Sequence, residues 1–309
     1  EVVKQLTNYN SDLIDELDLY FDMRKSGEGE FDLVNTYITG YNGNFGIYED
    51  SNVTLNLFGA NAFACYSWEI NCGAGIEIDE NSKLRIKDSN GSLVAIGQDD
   101  AAGIGSAEDE DNGEITIDGG TIFALSLGDG AGIGGGYGGG AGKITINGGT
   151  IRAECLMDDG AGIGVGDDGI GGEIIINGGD ITALSLYDDG AGIGGADSGY
   201  VDSITINGGN IVAGSEDGAA IGGGQEADSF GGKITINGGN ISADGMHDSD
   251  ENLIGNGSKD SKGESNDNFV QINGGNINIS NSKGIFPAPE NKNGDELDLN
   301  ITQAMLDEN

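Results

Sequence analysis

Six carboxylates recur at one place in a repeated word: Asp100, Asp129, Asp159, Asp189, Asp217 and Asp250, each four residues before an isoleucine. The position before them adds Asp99, Asp158, Asp188 and Glu216. Spaced about 30 residues apart, they form a column if each repeat is one turn of a stacked coil. Rungs of such a coil lie roughly 4.8 Å apart. At that distance neighbouring carboxylates repel by about 1 kcal/mol in bulk water and about 3.5 kcal/mol at an effective dielectric of ~20. Something must offset this. Two chemistries qualify. Each Asp can accept backbone N–H bonds from the Gly-rich turn beside it and face screened solvent. Alternatively, Ca²⁺ sits between rungs and takes carboxylate oxygens from adjacent coils, as a hard cation requires. The acidic loops at Asp167-Asp168, Asp197, Asp202, Glu226 and Asp228 offer further oxygen ligands.

The coil itself is read from two words in phase. Ile-Thr-Ile-Asn-Gly-Gly starts at Ile144, Ile204 and Ile234, with variants at Ile115, Ile174 and Val270 and degenerate copies at Leu84 and Val53. Gly-Ala-Gly-Ile-Gly and its variants keep the same rhythm through Ile76, Ile104, Ile133, Ile163, Ile193, Ile221 and Ile254. Ile115 and Ile117 alternate with Thr116, the period of a strand with one buried face. Asp118-Gly119-Gly120 turns the chain, Ile122 and Ala124 face inward on a second strand, and Ile133 anchors a third. Three short walls per turn, each strand above its predecessor, define an all-β, right-handed, single-stranded parallel β-helix of about seven ~30-residue coils.

Turn residues must then stack as well. Asp118, Asn147, Asn177, Asn207, Asn237 and Asn273 form one column, with amides bonding side chain to side chain. A solenoid has two open ends that need covering. Residues 1–45, where Ser11 through Leu17 has helix-like spacing, fit an N-terminal cap. Residues 46–283 are the β-helix, and 284–309 are a C-terminal cover or the start of a following domain.

Composition sets the outer limits. The chain of 309 residues carries 53 acidic and 13 basic residues, for a formal charge of −40. Such a surface repels nucleic acid and anionic membrane and concentrates cations. Sixty glycines set in fixed words exclude collagen and flexible linker. No apolar run approaches the ~20 residues of a membrane helix. The chain opens on Glu1, which suits a mature or excised piece of a larger surface protein. Of three cysteines, Cys65 and Cys72 are close enough in sequence for a small disulfide. Cys155 replaces Ser126 and Ser185 of the neighbouring coils and reads as a buried small residue.

Other candidates are fewer. Trp68, Tyr66 and Phe63 lie in an early irregular loop, as a hydrophobic plug or as a platform for stacking sugars. Leu125, Leu127, Leu156, Leu184 and Leu186 form an outward apolar ridge, either covered by a loop or itself a contact surface. A lyase needs a Lys or Arg base beside calcium. On the regular coils only Arg152 qualifies, and pairing with Glu154 accounts for it more simply.

The two words resemble those of β-helical carbohydrate-binding-domain proteins on the surfaces of clostridia and related gut bacteria. The stretches Asn52-Val53-Thr54-Leu55-Asn56-Leu57 and Gly75-Ile76-Glu77-Ile78 are similar to that family's lead-in, and the resemblance spans about residues 46 to 290. It implies a non-catalytic, extracellular carbohydrate-binding or adhesin module, secreted or attached to the cell surface. The implied partner is a polysaccharide or a host or cell-surface glycan, with calcium as the cofactor. A structural stalk is the first alternative and a polysaccharide lyase or hydrolase the second. Gln98-Asp99-Asp100 and Arg85-Ile86-Lys87 are similar to words of polygalacturonases, but stand in reverse order here. The Gly-His-Gly partner is missing, and the single histidine, His247, falls four coils away.

Overall fold

A computed structural model describes residues 4–7, 28–40, 44–65, 73–225, 232–246, 252–257, 270–280 and 284–286. The fold is a right-handed parallel β-solenoid, with no helix among the described residues. Each turn contributes one strand to each of three walls. In the turn beginning at Lys143 these are Lys143–Ile146, Thr150–Cys155 and Ile163–Gly164. Every pairing is parallel and joins a strand to its equivalent one turn away. Ile144 lies beside Ile174, Ile151 beside Ile181 and Ile163 beside Ile193.

The core follows from that register. Ile117, Ile146, Ile176, Ile206 and Ile236 are fully buried in one column, and Ile272 ends it at 2% exposure. Ile133, Ile163, Ile193 and Ile221 fill the third wall. Burying one isoleucine stabilises by about 1.5–3 kcal/mol relative to leaving it in water. Repetition of this modest term along the axis makes a long column out of small coils. The third wall is only two residues wide on the regular turns, and glycine follows its isoleucine on each of them. A Cβ on Gly164, at φ +154°, would lie 1.9 Å from the carbonyl oxygen of Gly194 on the next rung. No side chain fits there.

About six turns keep the regular repeat, slightly fewer than the seven expected. Less regular turns flank them, so the walls reach ten, nine and nine strands. At the N-terminal side the walls start earlier than expected. Glu28–Val34 pairs with Asn52–Phe58, and Tyr37–Gly40 pairs with Ala60–Cys65, so wall strands occupy part of the region assigned to a cap. Lys4–Thr7 adds a further strand beside Glu28–Val34. Phe31 and Leu33 point inward there, but no Asn-Gly-Gly word follows them to mark the turn. At the other end Gly284–Phe286 pairs with Asn252–Gly255 and extends the third wall into the expected cover. The helix-like segment Ser11–Leu17 and the segment 287–309 lie outside the described residues.

Candidate functional site

Two corners carry the stacked polar residues. At the first, between the first and second walls, the Asn column is a continuous ladder. Asn147 Nδ2 donates to Asp118 Oδ1, Asn177 to Asn147, Asn207 to Asn177 and Asn237 to Asn207, each at 2.8 Å. Asn273 continues it at 2.7 Å. An amide both donates and accepts, so identical side chains satisfy one another up the stack.

The second corner, between the second and third walls, carries the acidic row. The leading residues Asp99, Asp158 and Asp188 take left-handed φ values of 52°, 62° and 52°. Aspartate tolerates this conformation through its short polar side chain. The residue after each belongs to the row. Its carbonyl accepts a backbone N–H from the loop leaving the third wall of the next turn. Tyr137 donates to Asp100 at 2.7 Å, Asp167 to Asp129 at 2.9 Å, Asp197 to Asp159 at 3.3 Å and Gln225 to Asp189 at 2.9 Å. Two of these bonds bring further acids, Asp167 and Asp197, over the row.

The outcome is a tight group. Carboxylate oxygens of Asp129, Asp159 and Asp167 all lie within 4.8 Å of one another. One turn on, the same backbone bond sets Asp197 beside Asp159, and the charge of Asp197 acts on Asp189. The row does accept backbone bonds, but across rungs rather than within each turn. The Asp159 N–H donates to Asp129 Oδ1 at 3.4 Å and the Asp189 N–H to Asp159 Oδ1 at 3.1 Å.

Crowding and partial burial raise these acids. Burial, then the charges of Asp159, Asp197, Asp217 and Asp188, push Asp189 up to about 7. Burial and the charge of Asp168 carry Asp167 to about 7, against a lowering bond from the Asp168 N–H. Asp100 reaches about 6 through burial and its neighbour Asp129. Asp159 is raised by burial, in part offset by the bond from the Asp189 N–H. None of the ion pairs described includes a residue of the row. Lys83–Glu114, Arg85–Asp118, Lys87–Glu30, Lys143–Glu173 and Arg152–Glu154 all sit elsewhere.

The structure sorts the expected site residues. It brings Asp100, Asp129, Asp159 and Asp189 into one row. Asp217 joins by a different bond, its N–H donating to the Asp188 carbonyl at 3.3 Å, because its loop is shorter. Asp250 lies outside the described residues. Asp167 is a central member, although in the sequence it was one of several loop acids. It stands in the loop after the third wall of its turn, so no single-repeat spacing links it to Asp129.

Among the aromatics, Phe63 is fully buried, its ring centroid 5.5 Å from that of Phe45. Its place in the inward register of the second wall makes it a core residue, with no face open to a sugar. This corrects its assignment as a ligand contact. Trp68 and Tyr66 lie outside the described residues, as do His247 and the partner Cys72 of the expected disulfide.

Cys155 is buried in line with Ser126 and Ser185, and its thiol donates to the carbonyls of Gly128 at 3.1 Å and Met157 at 3.0 Å. Burial pushes that thiol up, away from the reactive thiolate. Arg152 bonds Glu154 and lies 5.7 Å over the Phe123 ring. Of the leucine ridge, Leu125 is buried while Leu127, Leu156, Leu184 and Leu186 are half-buried, beside exposed Met157 and Tyr187.

A family model described as "Beta helix repeat" matches residues 115–137, 144–172, 174–199 and 204–225. Over these segments, about a third of the chain, the match agrees with the β-helix repeats of the parallel solenoid. Those matched segments cover the regular turns that carry both polar corners. No curated protein and no solved structure matches the chain.

Proposed function

We propose that this chain is a non-catalytic, extracellular carbohydrate-binding or adhesive module whose acidic corner is held together by calcium. The observation that carries the calcium reading is the approach of Asp129, Asp159 and Asp167 to within 4.8 Å of one another. Oxygens bound to one Ca²⁺ at 2.3–2.6 Å lie no more than about 5.2 Å apart, a condition this trio meets. The donor set is all carboxylate, which suits a hard cation and not a soft one. Asp129, Asp159 and Asp167 hold the ion. Calcium there supplies charge compensation and order, replacing the proton that Asp167, raised to about 7, would otherwise hold near neutral pH.

The glycan half of the proposal rests on the resemblance of the repeat words and on a rigid, repeating surface suited to a repeating polymer. Loops ordered by calcium present that surface at the cell exterior. A glycan array probed with and without millimolar Ca²⁺ tests the pair of claims. Glycan signal supports the carbohydrate-binding claim, and any part of it lost in chelator supports the calcium claim. A chain that binds no glycan in either buffer is a stalk, and the proposal fails.

A further inference from the structure

The amide corner contains an open groove that the acidic corner does not explain. The groove has a volume of about 1040 Å³ and runs over five turns, from Gly148 to Asn276. Its floor is the Gly-Gly pair of each turn. Along one side runs a second ladder: Asn210 donates to Asp180 at 2.7 Å, Asn240 to Asn210 at 2.8 Å and Asn276 to Asn240 at 2.8 Å.

We infer that this groove is the binding track for a neutral, hydroxyl-rich polymer, a glycan chain lying parallel to the solenoid axis. The inference rests on the carbohydrate-binding reading above and assigns it a place distinct from the calcium corner.

Three observations lead there. The first is charge. The molecule carries −40, yet Asp180 is the single ionisable residue among those lining the groove. A track built of amides on so acidic a surface selects neither cations nor anions. It selects an uncharged partner that both donates and accepts hydrogen bonds. The second is unspent capacity. A side-chain amide has two N–H groups and two carbonyl lone pairs. The second ladder uses one of each on Asn210 and Asn240, so one donor and one acceptor on each remain for hydroxyls. The third is monotony. The same Asn-Gly-Gly-polar unit repeats at every rung, with a smooth glycine floor and no pocket for a varied side chain. A peptide of mixed sequence would find nothing to read there, whereas a polymer of like sugars meets the same bonds at each unit.

The floor also carries more glycine than the turn itself requires. The second glycine of each pair is fixed by its backbone: Gly179 sits at φ +104°. The first is not. Gly178 has no left-handed φ, and a Cβ there would meet only the Asn147 carbonyl oxygen at 3.1 Å, a squeeze of a few tenths of an ångström. Gly208 is alike, with Asn177 O at 3.0 Å. Leaving these two positions bare keeps the floor deep.

The test follows from that difference. Affinity electrophoresis of the whole chain in gels containing a neutral mixed-linkage β-glucan, galactomannan, xylan or dextran measures retardation, with polygalacturonate as the charged control. We expect at least one neutral polysaccharide to retard the chain, in chelator as well as in calcium. The double variant Gly178→Ala, Gly208→Ala should weaken that binding about tenfold or more while its melting temperature stays at that of the parent. Asn240→Ser, which keeps a hydroxyl but breaks the second ladder, should weaken it too. The inference is overturned if none of the four neutral polymers retards the chain, or if the double variant binds as the parent does. Retardation by polygalacturonate alone, abolished by chelator, would overturn the groove and leave the calcium-dependent reading standing.

Discussion

The two polar corners of the solenoid obey one stacking rule with opposite results. Both place like side chains on successive rungs. The amide corner satisfies itself, because each Asn donates to the one before it at 2.7–2.8 Å. The acidic corner cannot, because a carboxylate only accepts. Its members borrow backbone N–H groups from the next rung and still rise to about 6 or 7 at Asp100, Asp167 and Asp189. A repeat fold therefore amplifies chemistry as well as shape: a neutral donor–acceptor becomes a ladder, and an anion becomes a demand for a proton or a cation.

Both corners hang on the isoleucine column, so breaking that column removes the comparison altogether. Ile176→Asp buries an unpaired charge in a close-packed stack and should cost more than about 4 kcal/mol. Chemical denaturation should find the variant largely unfolded, and a melting curve like that of the parent would contradict the packing.

Exchanging the chemistry of the corners is the next largest effect. Asn177→Asp places an acceptor against Asn147 Oδ1, where the amide donated. Losing that donor and repelling the neighbour should cost about 1–3 kcal/mol at pH 7. The loss should shrink as the pH falls and the new carboxyl protonates. Asn177→Ala should cost less, and a variant with unchanged melting would show the ladder to be incidental.

Smaller still is the pH dependence of the acidic corner. Asp189 and Asp167 stand near 7 when folded and Asp100 near 6, against about 3.9 for an unperturbed aspartate. Between those limits the folded chain binds more protons than the unfolded one, so stability falls as pH rises. In chelator, melting should therefore be higher at pH 5 than at pH 8. Asp159→Asn with Asp189→Asn should flatten that slope and raise stability at pH 8. A slope of opposite sign would remove the crowding argument.

Much of this was legible in the sequence, because a stacked fold writes its contacts at a fixed period. Ile117 to Ile272, the Asn column and four members of the acidic row all follow from the two words in phase. What the words omit was hidden. Glu28–Val34 alternates correctly at Phe31 and Leu33 but lacks the turn glycines, so its sequence suits a cap as well as a wall. Phe63 falls in an inward register that an irregular loop concealed. Asp167 reaches Asp129 through a backbone bond between different walls of different turns, a contact set by how the loop folds back rather than by the repeat length. The groove, too, needs a column and a floor seen together.

The central claim is that the acidic corner needs a divalent cation where the amide corner needs nothing. Thermal melting at pH 7.5 in calcium, against NaCl of matched ionic strength, tests it most directly, since sodium only screens. A cation binding the folded row alone stabilises by RT ln(1 + [L]/Kd), about 2.7 kcal/mol at a hundredfold excess over Kd. The account predicts a rise in calcium beyond that in sodium, absent from the Asp159→Asn, Asp189→Asn variant and intact in Asn177→Ala. Equal melting in the two salts would contradict it and make the acidic row a solvated turn like its neighbour.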